Sequence, residues 1–212
     1  MVHRLADALD VPLAERNALW RAAGFADAYP ERQLDDAAMA GIRFVIDRLL
    51  QSHAPWPALV LDSAYDIVQA NATAQRLLFG AAHAPDVRPN LVALILGPMR
   101  PLLANWEEVA LELRTRLRLE AAQAGADPRL KPLLAQAEEA LPASTRPAAS
   151  SGESPVLLTR LRTPLGELRT LSTFVRFGGV RDVTVDGLHV ELIYPADDQA
   201  DTLLRAIAGD AS

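Results

Sequence analysis

The β-strand pattern of this chain falls into two blocks far apart in sequence, and that separation limits what it can fold into. Ala58-Leu59-Val60-Leu61 is a short apolar run, Asp62-Ser63-Ala64 is turn-like, and Tyr65-Asp66-Ile67-Val68-Gln69 alternates, so residues 58–70 read as a β-hairpin. A two-stranded hairpin alone is marginal in water. The next strand signals come only at 156–162, at 167–177 beyond the turn Pro164-Leu165-Gly166, and at 188–194. In the last of these Leu188, Val190, Leu192 and Tyr194 alternate with His189 and Glu191, the pattern of a half-buried strand. The hairpin must therefore pair with strands that lie beyond a long helical interval. The expected fold class is α+β: an antiparallel sheet of about five strands with helices on one face, preceded by a helical segment. Such a sheet curls around its helices and can leave a cavity between them, a common place for a small-molecule site.

The helical signals surround these blocks. Val2, Leu5 and Leu9 give a stripe at helical spacing, and a second helix is expected from Pro12 to about Ala23, with Gly24 as its C-terminal cap. Asp35-Asp36 precedes a third, with Met39, Ile42, Val45, Ile46 and Leu49 as its buried stripe, and Pro55 and Pro57 close it. Asn71 is positioned to cap a helix ending at Gly80, and Asn90 opens a short one closed by Gly97-Pro98. Asn105 opens the clearest helix, with Glu107 and Glu108 in its first turn and Trp106, Val109, Ala110, Leu113 and Leu117 on one face. Another is expected over 128–141, and Asp197 or Asp198 caps a last one holding Leu203, Leu204 and Ile207. Residues 142–155 contain nothing that enters a core and are expected to form a mobile loop.

Composition excludes several function classes. The 212 residues suffice for one domain with a small appendage and a core that needs no staple. With 0 Cys there is no disulfide, no Cys nucleophile and no thiolate metal site. A net charge of -6 opposes a strong grip on a phosphate backbone. No apolar run approaches a membrane span and the start lacks a signal-peptide core, so the cytoplasm is the expected compartment. The basic residues are almost all Arg, with Lys131 the single Lys.

No catalytic or metal motif is present. His3, His53, His83 and His189 do not fall at metal-ligand spacing, and no phosphate loop, dinucleotide fingerprint or nucleophile elbow occurs. His189 and Glu191 share a strand face, and a solvated pair is the plain interpretation. An enzyme, neither expected nor excluded by a distributed site, ranks third among the functions considered. Two features suit ligand binding. Arg100, Arg114, Arg116 and Arg118 cluster near the Trp106 helix, where an Arg fork at a cavity mouth would hold a carboxylate; the alternative is that they are solvated or pair with Glu112 and Glu120. Leu59, Leu61, Ile67, Leu171, Thr173, Val175 and Phe177 offer an apolar wall, the alternative being a filled core.

Several segments together resemble one family. Leu5-Ala6-Asp7-Ala8-Leu9-Asp10-Val11-Pro12 through Ala22-Ala23-Gly24-Phe25 is similar to the end of the helix-turn-helix domain in MmyB-like transcriptional regulators of the XRE class. Trp56-Pro57-Ala58 with Asp62 and Asn71 resembles the family's first hairpin. Asn105-Trp106-Glu107-Glu108-Val109-Ala110 with Arg116-Leu117-Arg118 resembles its central helix. Leu161-Arg162-Thr163-Pro164-Leu165-Gly166-Glu167-Leu168, Asp182-Val183-Thr184 and Pro195-Ala196-Asp197 resemble its C-terminal strands.

The resemblance implies a bacterial regulator in which a DNA-binding helix-turn-helix is joined to a PAS-like domain that binds a fatty-acid-like apolar ligand. On that basis residues 1–25 are the C-terminal remnant of the helix-turn-helix, whose recognition helix would lie upstream. Residues 26–55 are a connecting helix, and 56–212 are the PAS-like domain. An acyl chain would lie between the sheet and the helices opened by Asn90 and Asn105. Leu59, Leu61, Ile67, Leu171, Thr173 and Phe177 would line the sheet side. Leu91, Trp106, Val109 and Leu113 would line the helix side, with Asn90, Arg100, Asn105 or Arg116 taking the head group. No metal or other cofactor is expected, and a homodimer is expected for DNA binding. The competing expectation is a ligand-free dimerisation module.

Overall fold

The structure is a computed structural model that describes residues 2–9, 11–80, 88–123, 126–141 and 156–209. The loop expected at 142–155 lies outside the described residues. Two helices open the chain, α1 (Val2–Ala8) and α2 (Leu13–Ala22), and Gly24 follows at φ +80°. The Asp36 side chain accepts from the Ala38 N–H at 2.8 Å and starts a single 3₁₀ turn (Ala37–Met39) that runs into α3 (Ala40–His53). The buried side of α3 is Ile46, Leu50 and His53. Val45, expected in that stripe, is 42% exposed, because the face that meets the sheet passes through Ile46 and Leu50, four residues apart.

The expected hairpin follows as β1 (Ala58–Leu61) and β2 (Ile67–Ala70). Tyr65 belongs to its turn rather than to a strand, with φ +66°. Its N–H donates to the Asp62 carbonyl (3.0 Å), and its carbonyl accepts from Leu91 N–H (2.9 Å). These bonds offset the cost of a left-handed conformation in a bulky residue. Asn71 caps α4 (Ala72–Phe79), accepting from Ala74 N–H at 3.0 Å and Ala58 N–H at 3.2 Å and donating to the Trp56 carbonyl at 2.7 Å. Then come α5 (Leu91–Leu96), α6 (Trp106–Ala121) and α7 (Leu130–Ala140). Three more strands complete the sheet: β3 (Thr159–Thr163), β4 (Gly166–Arg176) and β5 (His189–Pro195). Between β4 and β5 lies α8 (Val183–Gly187), which the sequence reading missed; Asp182 caps it by accepting from Thr184 N–H at 3.0 Å. The chain ends in α9 (Asp198–Ala208), capped by Asp197.

All strands are antiparallel, in the order β2-β1-β5-β4-β3. The early hairpin thus finds its partner in β5, the last strand of the chain, as its instability alone demands. Side-chain parity sorts the sheet into two covered faces. Leu59 and Leu61 face α4 to α7, packing with Val92, Leu113, Leu117 and Leu133. Leu161 and Leu168 continue this inner face against Trp106, Val109, Leu203 and Leu204. On the outer face Ala58, Val60 and Val190 pack under Ile46 and Leu50 of α3.

The N-terminal segment is fastened to α8. Leu13 N–H donates to Asp186 (2.9 Å), Arg32 pairs with Asp182 (2.9 Å), and Thr184 Oγ1 donates to the Arg32 carbonyl (2.6 Å). No helix of the described residues is long and apolar enough to cross a membrane.

Candidate functional site

A cavity of about 90 Å³ lies between the inner face of the sheet and helices α4, α5 and α6. Leu77, Leu78, Leu91, Ile95 and Met99 line it on one side, with Leu103 and Val109. The sheet contributes Leu59, Leu161, Leu168 and Ile193, and also four polar side chains, Thr159, Thr170, Ser172 and Glu191. The register explains the set. Thr159 is opposite Thr170, Ser172 is opposite Ile193, and Glu191 has Leu59 on one side and Phe174 on the other. Alternate residues of each strand share a face, so Leu168, Thr170 and Ser172 all point inward.

Glu191 is the carboxyl among the described residues of this cavity. Burial raises its carboxyl above the ordinary carboxylate range, and the Ser172 hydroxyl and the Arg116 charge offset only part of that. No ion pair to Glu191 occurs among the described residues. Two residues along the same face, His189 packs edge-on to Tyr65 (5.6 Å) and Phe174 (5.7 Å). Burial, followed by the charge of Arg176, lowers its pKa to about 4, so it is neutral near pH 7. The two therefore share a face as expected, with His189 buried and Glu191 half-buried. The Tyr65 hydroxyl donates to Glu120 at 2.9 Å, which ties the hairpin turn to α6.

A second concavity is larger and more open. It is a groove of about 720 Å³ at the start of α6, lined by Arg100, Asn105, Trp106, Glu107, Glu108 and Arg160 among others. Arg100 stacks on the Trp106 ring at 3.9 Å, Trp106 Nε1 donates to the Ile95 carbonyl (2.9 Å), and Arg160 is held by Glu167 (2.9 Å). Leu103 lines both hollows and separates them. The enclosed, mostly aliphatic cavity suits an apolar ligand better than this open groove of charges.

The structure divides the candidate residues. Leu59, Leu91 and Val109 line the cavity. Leu61, Ile67 and Leu113 are buried in the adjoining core. Leu171, Thr173 and Phe177 are on the wrong face: Leu171 is paired with Tyr194 and Thr173 with Leu192, while Phe177 packs in the cluster under α3. Because apolar residues of both parities are packed in buried clusters elsewhere in the sheet, apolar character does not tell which parity faces the helices. Arg100, Asn105 and Trp106 belong to the open groove. The four arginines do not converge. Arg116 stacks on Phe174 at 4.6 Å and pairs with Glu112, Arg118 pairs with Glu138, and Arg114 is buried. Positions two apart on a helix point some 200° around its axis, so Arg116 points away from Arg114 and Arg118, and of these two only Arg118 is exposed.

Neither asparagine is available for a head group. Asn90 donates to the Ala64 carbonyl (2.7 Å) and Asp66 (2.8 Å) and accepts from Val92 and Ala93 N–H, which uses its full capacity. Asn105 donates to the Leu158 carbonyl at 2.8 Å and accepts from Arg160 N–H at 3.0 Å, stitching α6 to β3. The sequence reading missed Thr159, Thr170, Ser172 and Glu191. For Thr170 the signal was present: a polar residue buried at the inward parity of a strand points to a cavity or a partner, since a filled apolar core excludes it. Among the described residues no group of His, Asp and Glu is placed to hold a metal.

No curated protein matches the chain. The family model of the MmyB-like transcription regulator ligand binding domain matches residues 42–207, which span α3 through nearly all of α9 and include every residue of the cavity. The chain belongs to the MmyB-like transcription regulator ligand-binding domain family.

Proposed function

We propose that this chain is the sensor part of a bacterial transcription regulator and that its ligand is a single-chain amphiphile, fatty-acid-like in its hydrocarbon part. The observation that carries this reading is the cavity between sheet and helices, walled by aliphatic side chains from α4, α5, α6 and four strands. Its present volume of about 90 Å³ is small beside the roughly 300–1,000 Å³ of common ligand pockets. An acyl chain therefore enters as Leu77, Leu78, Leu91, Ile95 and Met99 swing aside, and Met99 is a flexible side chain suited to that. Binding that opens this wall favours one arrangement of the regulator over another, the requirement for a population shift. DNA is contacted by the helix-turn-helix of the regulator, of which α1 and α2 form the closing part, and the regulator acts in the cytoplasm as a homodimer.

Native mass spectrometry of protein purified from cells tests the ligand claim. A non-covalent adduct in the lipid mass range, with a thermal shift from amphiphiles of that class, is the expected result. A ligand-free spectrum with no shift from any chain length rejects it. It would leave the second reading, a dimerisation module with a filled core. The small cavity favours that reading, as do Phe44 and Val45, which are 60% and 42% exposed on α3.

A further inference from the structure

We propose that Glu191 sets the ligand class: the cavity takes an amphiphile whose head group donates a hydrogen bond, a neutral hydroxyl above all, and discriminates against a free carboxylate. This rests on the cavity being the ligand site. The geometry carries it. Among the described residues the polar groups on the cavity wall are Thr159, Thr170, Ser172 and Glu191, and no described Arg or Lys lines it. Of these, Glu191 is the carboxyl, whose oxygens accept a hydrogen bond, placed between Leu59 and Phe174 across the sheet.

A carboxylate entering here meets a second carboxyl in a mostly aliphatic cavity, where keeping two like charges together is costly. Arg116, whose charge would favour a carboxylate, is engaged elsewhere. Arg116 stacks on Phe174 at 4.6 Å and pairs with Glu112 at 3.5 Å, and it forms no ion pair with Glu191. A cationic head is opposed by the surroundings that hold His189 neutral, namely burial and the charges of Arg176 and Arg116. A hydroxyl avoids both penalties: it donates to Glu191, and the Ser172 and Thr170 hydroxyls accept or donate as required. A site built around such a bond rejects an analogue that leaves its buried acceptor unpaired.

The test is displacement of the neutral fluorescent probe N-phenylnaphthylamine from the full chain at pH 8 by decanol, decanoate and methyl decanoate. The expected order has decanol effective at concentrations at least about tenfold below both others. In Glu191→Leu the advantage over methyl decanoate should vanish, and Glu191→Gln, whose amide oxygen still accepts, should keep it. Decanoate binding as tightly as decanol to the unaltered protein overturns the inference, a result that needs no variant to fold. An unchanged order in Glu191→Leu overturns it equally. If neither the probe nor any of the three binds, the sensor reading fails with it, and the two failures are thereby told apart.

Discussion

His189 is a neutral imidazole held between Tyr65 and Phe174, and its titration is a measurable consequence of the closed inner face. Its pKa falls from 6.5 to about 4, with burial the largest cause. The unfolded chain therefore binds more protons than the folded one between these values. Stability is fully present above pH 6.5 and is lost as pH falls towards 4. One pKa unit is about 1.4 kcal/mol, so the loss attributable to this residue is about 3 kcal/mol. Glu191 acts in the opposite sense, since its raised pKa adds stability at low pH and removes it as pH rises. The quantity to measure is thus the difference between unaltered protein and His189→Gln in urea unfolding from pH 7 to pH 4. The variant should lose distinctly less stability on acidification. Parallel profiles would show that the ring is solvated.

Among elements, α4 depends most visibly on one residue. Asn71 serves the helix start through Ala74 N–H, the end of the hairpin through Ala58 N–H, and the Trp56 carbonyl through its amide. Asn71→Ala should cost about 2 kcal/mol, combining a lost cap with unsatisfied backbone groups. Asn71→Asp keeps the acceptor and should cost less, and equilibrium unfolding of both variants checks the order. This cap was legible in the sequence, as were most of the helices and all five strands, because each rests on a local signal: an Asn or Asp before an apolar run, a Gly or Pro after it, an alternation of two. What was not legible was sidedness. Leu171, Thr173 and Phe177 looked like cavity wall because they are apolar or β-branched, yet α3 covers the face they belong to. Glu191 looked solvated because it is polar, yet it has the parity that faces the helices. The arginines near Trp106 do not converge, and Arg116 pairs with Glu112 as the alternative reading had it, since nearness in sequence along a helix is not convergence. Local periodicity fixes which residues share a face, but only tertiary packing decides what covers it.

At the scale of the whole molecule, α8 is the joint between the N-terminal segment and the ligand domain. It was invisible to the sequence reading because five residues give no periodicity. It receives the Leu13 N–H and the Arg32 guanidinium through Asp186 and Asp182, and β5 leaves it carrying His189 and Glu191. Its last residue, Gly187, lies so close to the hairpin turn that an added Cβ would stand 3.1 Å from Ser63 Cβ, so a side chain there would push the turn and α8 apart. A displacement of β5 is therefore felt by the helices docked on α8. If those contacts hold α1 and α2 in place, the double variant Asp182→Ala, Asp186→Ala should release them while leaving the sheet intact. Losing the 2.9 Å pair to Arg32 and the 2.9 Å bond from Leu13 costs the docked state about 1–2 kcal/mol, a factor of roughly 5–30 in its population. When opening is fast relative to cleavage, proteolysis follows that population. Trypsin should then cut at Arg21, in the last turn of α2, faster by about that factor, while the fragment beginning near α3 persists and melts as before. An unchanged cleavage rate would mean that the segment is held by its apolar contacts alone, and a fall in the melting point of the fragment would mean that α8 supports the sheet itself.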